Sequence, residues 1–440
     1  MQSNLPLFRH KLEGSALVMI LIILGFAAAL LVSALKSNPQ IGRDKITSAA
    51  LAQAKEALIG YAASVALTPG GGPRPGDLPC PDINDDGIAE ASCGNASGST
   101  GQNLRLGRLP WKTLGLPDLR DGNGERLWYA VSNNFKKNTP TSILNSDTFG
   151  TITVRDSTGT IVNDGTGSTA AIAVIISPGS VLTRQDGVNQ MRDVANANNP
   201  VNYLDIGNGE DNAAFVDSGS DGFINGDVRD VNNNIIVNDR VLAITYGNLM
   251  PILEKRVAGE ALICLTEYAA KASNQGRYPW AAPLNPLAVP SYADASGSRF
   301  GRIPDTFAAT KSDSGNVMDD SWTGSCNIGS TGWWLSWKEM VFFALADAYK
   351  PVSAPMPVPA CGTGTCLTVN PPSATVNKQV AVFVAGRRLA GVAGGQPRIS
   401  NNDKGTITNY LENQNSTPLD EVFERSTITS TFNDATSFAP

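Results

Sequence analysis

The segment DINDDGIAE (82–90) places side-chain oxygens at Asp82, Asn84 and Asp86, a glycine at Gly87, a backbone carbonyl at Ile88 and a carboxylate at Glu90. These are the first, third, fifth, seventh and ninth positions of a calcium loop, with glycine sixth, where the chain must turn sharply around a hard cation. The twelfth position is Cys93 instead of a bidentate Glu, so a further ligand for Ca2+ has to come from elsewhere. Asp118, Asp121 and Glu125 in DLRDGNGE (118–125) are the candidates. The same segment also reads as a solvated acidic turn closed by a Cys80–Cys93 bridge, and both readings stand. DSGSDGFINGD (217–227) is a weaker version in which only Asp217 and Asp221 fit, and its glycine content suggests a surface loop.

The six cysteines group as Cys80/Cys93, Cys264/Cys326 and Cys361/Cys366, which suits disulfides in an oxidising space such as a periplasm. Sequence alone allows fifteen connectivities; the local pairs Cys80–Cys93 and Cys361–Cys366 are the expected ones. Zinc would need a tight tetrahedral set with histidine support, and the one histidine is His10, before the apolar stretch. With no histidine beyond it, Ser-His-Asp and Cys-His arrangements are excluded. Ser177 and Ser180 in IISPGSVL lack the Gly-x-Ser-x-Gly elbow and read as a strand end followed by a Pro-Gly turn. GGGPRPG (70–76) lacks the Gly-Lys-Ser/Thr ending of a phosphate cradle and reads as a loop. A carboxylate pair stays formally open, but nothing in the sequence picks one out. The expectation is a protein that is not an enzyme.

Forty-three Gly, 27 Pro and only 17% charged residues describe a loop-rich globular chain, and a net charge of −6 gives no basic footprint for nucleic acid. Ser15 to Leu35 carries no charge, and at 1.5 Å per residue such a helix reaches across a ~30 Å hydrocarbon core. The small residues Gly14, Ser15 and Ala16 precede this run, whereas a signal peptide has its cleavage site after it. Arg9 and Lys11 lie before the run and stay cytoplasmic by the positive-inside rule, so the rest of the chain is exported.

Five segments recur in order at an offset near 200 residues. AKEALIGYAA (54–63) returns as AGEALICLTEYAA (258–270), RLGRLP (105–110) as RFGRIP (299–304), and RLWYAV (126–131) as MVFFAL (340–345). IAVIISPGSVL (172–182) returns as VAVFVAGRRL (380–389), and NPVNYL (199–204) as TITNYL (406–411). Five echoes in register argue for an internal duplication. Each copy opens with a helix. Leu51, Ala54, Leu58, Tyr61 and Val65 form one apolar stripe, and Leu249, Leu253, Val257, Ala261, Leu265 and Tyr268 another, with Pro251 placed in a first turn. Strands are expected near Ile152–Val154, Ala170–Ile176, Val241–Thr245 and Val380–Val384. The pattern predicts an α+β fold in which a helix packs on an antiparallel sheet, once in each copy.

A short basic leader ending in Gly, an apolar helix starting directly after it, and continuation into an amphipathic helix resemble a type IV pilin or type II secretion pseudopilin. The segments RPGDLPCPD, RLGRLPW and LGLPDLRDGNGERLWYAVS are also similar to those of large prepilin-like proteins. The resemblance implies a leader of residues 1–14 and cleavage by a prepilin peptidase between Gly14 and Ser15, with methylation of the new amine. It also implies a pilin-like N-terminal helix over 15–67, transmembrane over 15–35, with Pro39 similar to a helix-breaking proline near its end. Two tandem pilin-like heads would follow at 68–248 and 249–440. The family's fifth mature residue is Glu, whereas here it is Met19, a departure shared with the K-type minor pseudopilin and some minor pilins. The implied partners are the inner membrane, the peptidase and other pilins or pseudopilins. The implied role is a minor or tip subunit, with a surface binding module that never polymerises as the alternative.

Overall fold

The computed structural model describes residues 39–440, apart from 67–73, 95–101, 138–142, 216–221, 285–291, 323–325, 327, 329–331, 355, 371–375, 391, 393–394, 419–420 and 440. Gly14, Ser15, Met19 and the expected membrane span 15–35 therefore lie outside the described residues.

Helix α1 is described over Pro39–Ser64. Its buried face is Leu51, Ala54, Leu58, Ile59 and Ala62. The first main sheet is antiparallel, in the order β1 (Leu106–Arg108), β2 (Trp128–Val131), β5 (Ala171–Ser177) and β11 (Arg240–Thr245). Between its strands lies a small mixed sheet in which β3 (Thr153–Arg155) pairs antiparallel with β4 (Ile161–Asn163) and parallel with β8 (Gly222–Ile224). Two ribbons, β6 (Ile206–Gly207) with β7 (Glu210–Asp211) and β9 (Val228–Arg229) with β10 (Ile235–Val237), complete this half.

The second half repeats the plan. Its antiparallel sheet has the order β12 (Phe300–Arg302), β13 (Val341–Leu345), β16 (Val380–Val384) and β18 (Ala435–Ala439). Its mixed sheet sets β14 (Leu367–Asn370) antiparallel to β15 (Val376–Lys378) and parallel to β17 (Val422–Glu424). The glycine of RLGRLP and RFGRIP has the same reason in both halves. A Cβ on Gly107 would lie 2.7 Å from the Asp82 carbonyl oxygen, and one on Gly301 would lie 2.1 Å from that of Ala282.

Helix α2 (Tyr246–Ala270) follows β11 without a loop, so it starts three residues before Leu249. Pro251 thus stands inside the helix, not in its first turn. The helix lies against α1 and β11 on one side and β16 and β18 on the other. One continuous apolar core results, running from Ala50 through Leu253 and Trp337 to Phe383 and Ala439. The edge strand β11 is blunted by side chains: Asn225 Oδ1 accepts the Val241 N–H at 2.9 Å, and Lys55 Nζ donates to the Ala243 carbonyl at 3.0 Å.

These facts correct the expected fold. The chain is mostly small sheets with few helices, 25% helical and 22% strand, and not a pilin-like helix followed by two independent helix-on-antiparallel-sheet heads. Two of the sheets contain parallel pairs, and α2 is shared by both halves. Among the described residues no helix is long and apolar enough to cross a membrane. The physical reason is in the loops. The expected strands form at nearly their expected bounds, but the Asn-, Asp- and Gly-rich segments between them fold by side-chain-to-backbone hydrogen bonds and carry further short strands, such as β6 to β10, that no apolar run announces.

Candidate functional site

The acidic loop 82–90 is held by its own oxygens. Asp82 Oδ1 accepts the N–H groups of Asn84 at 3.1 Å and Asp85 at 2.7 Å, and Oδ2 accepts that of Gly87 at 2.7 Å. Asn84 Oδ1 accepts the Asp86 N–H, Asp86 Oδ1 accepts the Ile88 N–H, and Glu90 Oε1 accepts the Ile83 N–H at 3.4 Å. Burial pushes the Asp82 carboxyl up, opposed by the N–H groups of Gly87 and Asp85. Gly87 sits at φ +85°, and a Cβ there would meet the Trp111 ring. The candidate twelfth-position donors are occupied too. Asp118 pairs with Arg120 and Arg126, Asp121 accepts Ser177 Oγ and the Gly179 N–H, and Glu125 faces Arg192. Among the described residues, no three His, Cys, Asp or Glu side chains come together as a metal set. In the weaker segment Asp217 and Asp221 lie outside the described residues, and Asp227 pairs with Arg240 at 3.2 Å.

All six cysteines form disulfides: Cys80–Cys93, Cys264–Cys326 and Cys361–Cys366, with Cα separations of 5.5, 5.3 and 5.6 Å. The middle one ties α2 to a segment 62 residues further on. Three disulfides fit an oxidising compartment.

Sequence reasoning missed a buried carboxylate pair that occurs twice. In the first half Asp205 and Asp239 are fully buried. Asp205 Oδ1 accepts Gln190 Nε2 at 2.8 Å, and its Oδ2 accepts the Asn238 N–H at 2.8 Å. Asp239 Oδ2 accepts the Asp205 N–H at 2.7 Å and Asn212 Nδ2 at 2.8 Å. In the second half Glu412 takes the place of Asp205. Its Oε1 accepts Gln396 Nε2 at 2.6 Å and its Oε2 accepts the Asn433 N–H at 2.9 Å. Asp434 Oδ2 accepts the Glu412 N–H at 3.1 Å and Asn415 Nδ2 at 2.9 Å.

The surroundings repeat as well. Arg192 donates to the Gly179 carbonyl and Arg398 to the Gly386 carbonyl. Tyr203 lies between the guanidinium groups of Arg108 and Arg192, at 4.0 and 5.3 Å from its ring centroid. Tyr410 lies likewise between Arg302 and Arg398, at 5.1 and 4.6 Å. The available signal was the NYL echo. Extended by a few residues it reads Gln-x-Arg, Asn-Tyr-Leu-acid, then Asn-Asp, at 190–192, 202–205 and 238–239 and again at 396–398, 409–412 and 433–434.

A cavity of about 450 Å³ opens where the halves meet, lined by Phe149, Tyr246, Pro251, Glu254, Arg387 and Ile428 among others. Tyr246 Oη donates to Glu254 Oε1 at 2.9 Å and accepts the Arg387 N–H at 3.0 Å. The Arg387 guanidinium lies 5.0 Å over the Tyr246 ring. Burial pushes the Glu254 carboxyl up to about 7, opposed by its hydrogen bond from Tyr246 and by the charges of Arg398 and Arg387. Nearby, Arg398 and Arg388 of the second half face Asp147 of the first at 3.2 and 3.6 Å.

No family model matches this sequence, no curated protein matches it, and no solved structure matches it.

Proposed function

We propose that this chain is a non-catalytic structural subunit of a type IV pilus or type II secretion pseudopilus, made with a leader that a prepilin peptidase removes. The observation that carries the reading is the charged leader ending at Gly14 directly before the uncharged run from Ser15 to Leu35. On this reading the N-terminus is cytoplasmic, the apolar run sits in the inner membrane, and the disulfide-bonded remainder is periplasmic, or extracellular once assembled. Met19 supports a position at the tip. In the family the fifth-residue glutamate pairs in an apolar core with the amine of a neighbouring subunit, and a subunit without it fits best where nothing precedes it.

The test is the mature N-terminus. Mass spectrometry should show a chain beginning at Ser15, and Gly14→Asp should leave the leader attached while the protein still reaches the membrane. A mature mass that is unchanged by this variant, or by loss of the peptidase, overturns the proposal. Filaments should also fall in number when the protein is absent.

The seam cavity favours a second reading, a surface binding module on the same anchor. It combines an aromatic wall, an arginine and a buried carboxyl with a raised pKa, a combination usual in ligand sites. Normal filament number in a deletion strain, together with loss of a surface-binding phenotype in Arg387→Ala, would select this alternative.

A further inference from the structure

Donor counting in the two carboxylate pairs gives the same result twice. Each pair has four carboxyl oxygens. In the first, three of them accept N–H groups from Gln190, Asn238, Asn212 and Asp205, and the fourth, Asp239 Oδ1, is buried with no hydrogen-bond donor. In the second, three accept from Gln396, Asn433, Asn415 and Glu412, and the fourth, Asp434 Oδ1, is likewise buried without a donor. Leaving a charged oxygen dry and unpaired costs several kcal/mol, so one such atom calls for a cause. The same atom in both halves calls for a common one.

The nearby cations supply no hydrogen bond to it. Around the first pair, Arg192 is used by the Gly179 carbonyl, Gln190 and Glu125, Arg184 by Asp186 and Asp211, and Arg240 by Asp227. Around the second, Arg398 donates to the Gly386 and Asn409 carbonyls and faces Asp147. Arg192 and Arg398 each keep one buried nitrogen without a partner, and their charges favour the ionised forms of Asp205, Asp239 and Glu412, but burial outweighs them. No cationic side chain among the described residues makes a hydrogen bond to any of the four carboxyls. Two carboxylates brought together in a dry site cannot both ionise, and the cheapest remedy is a proton.

We propose that Asp205–Asp239 and Glu412–Asp434 are proton-locked acid pairs, each holding one proton on the donor-less oxygen of Asp239 or Asp434, so that the fold tightens on mild acidification. The bonds joined by each pair support this role. The first pins the loop after β5, the β6–β7 ribbon and the start of β11, and the second pins the corresponding loops beside β16 and β18. Burial pushes Asp205 up to about 6, with Asp239 further raised by burial and by the charge of Asp205. Asp434 is raised well above the usual range by burial and by Glu412, and Glu412 is raised by burial. The sign follows. These folded-state values exceed the unfolded ones, so the stabilisation is fully present below the unfolded carboxylate range and is lost as pH rises through the folded values.

The experiment uses the full chain in mild detergent, in a Glu254→Gln background to remove the raised carboxyl at the seam. Asp77 and Asp82, also pushed up by burial, stay in every variant, so the comparison is between the parent and the pair variants. Urea unfolding is followed from about pH 5 to about pH 8, where one proton per pair changes the folding equilibrium constant by up to tenfold per pH unit, and two pairs by up to about a hundredfold. Asp239→Asn places an amide N–H where the proton would be. It should remove one proton's worth of the logarithmic slope, and Asp239→Asn with Asp434→Asn should remove two. Asp205→Asn, by contrast, sets an amide against two N–H donors and should weaken folding at every pH. A flat profile in the parent, or an unchanged slope in the double variant, overturns the proposal. Infrared spectroscopy reads the proton directly even if a variant folds poorly. A protonated-carboxyl C=O band is expected in the parent at neutral pH, and its absence refutes the lock.

Discussion

Asn212→Ala tests the repeated network at its most connected residue. Asn212 is fully buried, its Nδ2 donates to Asp239 Oδ2 at 2.8 Å and to the Ile224 carbonyl at 2.9 Å, and its Oδ1 accepts the Ile224 N–H at 2.8 Å. Truncation removes three hydrogen bonds and leaves both backbone groups of Ile224 without their partner at a site closed to water. At about 1–3 kcal/mol for each stranded group, the expected loss is about 3–5 kcal/mol. The counterpart Asn415, also fully buried, donates to Asp434 and accepts the Glu424 N–H at 2.9 Å. With two bonds at stake, Asn415→Ala should cost about 2–4 kcal/mol. Urea titration of the full chain, followed by tryptophan fluorescence, measures both. Trp128 reports on the first half and Trp334 and Trp337 on the second, and all three are buried in the core. Because one core joins the halves, either variant should shift the unfolding of both together. A loss below about 1 kcal/mol for Asn212→Ala would refute the accounting of stranded groups.

The Cys264–Cys326 bridge closes a 62-residue separation, so its removal by a paired Cys→Ala change should cost about 4 kcal/mol by the chain-entropy estimate, against about 2 for the 5-residue Cys361–Cys366 loop; melting curves of the two variants decide. Since the oxygens of Asp82, Asn84, Asp86 and Glu90 already accept N–H groups, calorimetric melts with calcium and with chelator should superimpose, and a calcium-dependent rise would show that the loop opens to take a cation. Asp82→Ala strands the N–H groups of Asn84, Asp85 and Gly87, and should lower stability by about 2–4 kcal/mol in the same assay. Glu254 is raised to about 7, so its contribution is present below the unfolded carboxylate range and is lost as pH rises through about 7; Glu254→Gln should be the more stable form at alkaline pH, and parallel profiles for the two proteins would argue against a neutral carboxyl at the seam.

Some features of this molecule are fixed by local rules and can be read from the sequence. The stripe through Leu51, Ala54 and Leu58 lies on the buried face of α1, and the apolar run Val380–Val384 is β16 over the same bounds, because periodicity and β-branching act over a few neighbours. The close cysteine pairs form because short separations leave few geometric options. Other features depend on what meets what. That α2 starts at Tyr246, with Pro251 inside it, follows from β11 feeding the helix directly, and its service to two sheets at once cannot be seen in its own stripe. The spacing of Asp82, Asn84 and Asp86 is legible in the sequence, whereas the hydrogen bonds these oxygens accept from the loop's own N–H groups, and the packing of the loop against Arg108 and the Trp111 ring, are seen only in the folded chain. The acid pairs depend most on tertiary structure. Asp205 and Asp239 stand 34 positions apart, and only folding makes a dry site around both. Periodicity marks which faces are buried, but the charge state of a carboxyl depends on which neighbours share its burial, and the tertiary structure decides that.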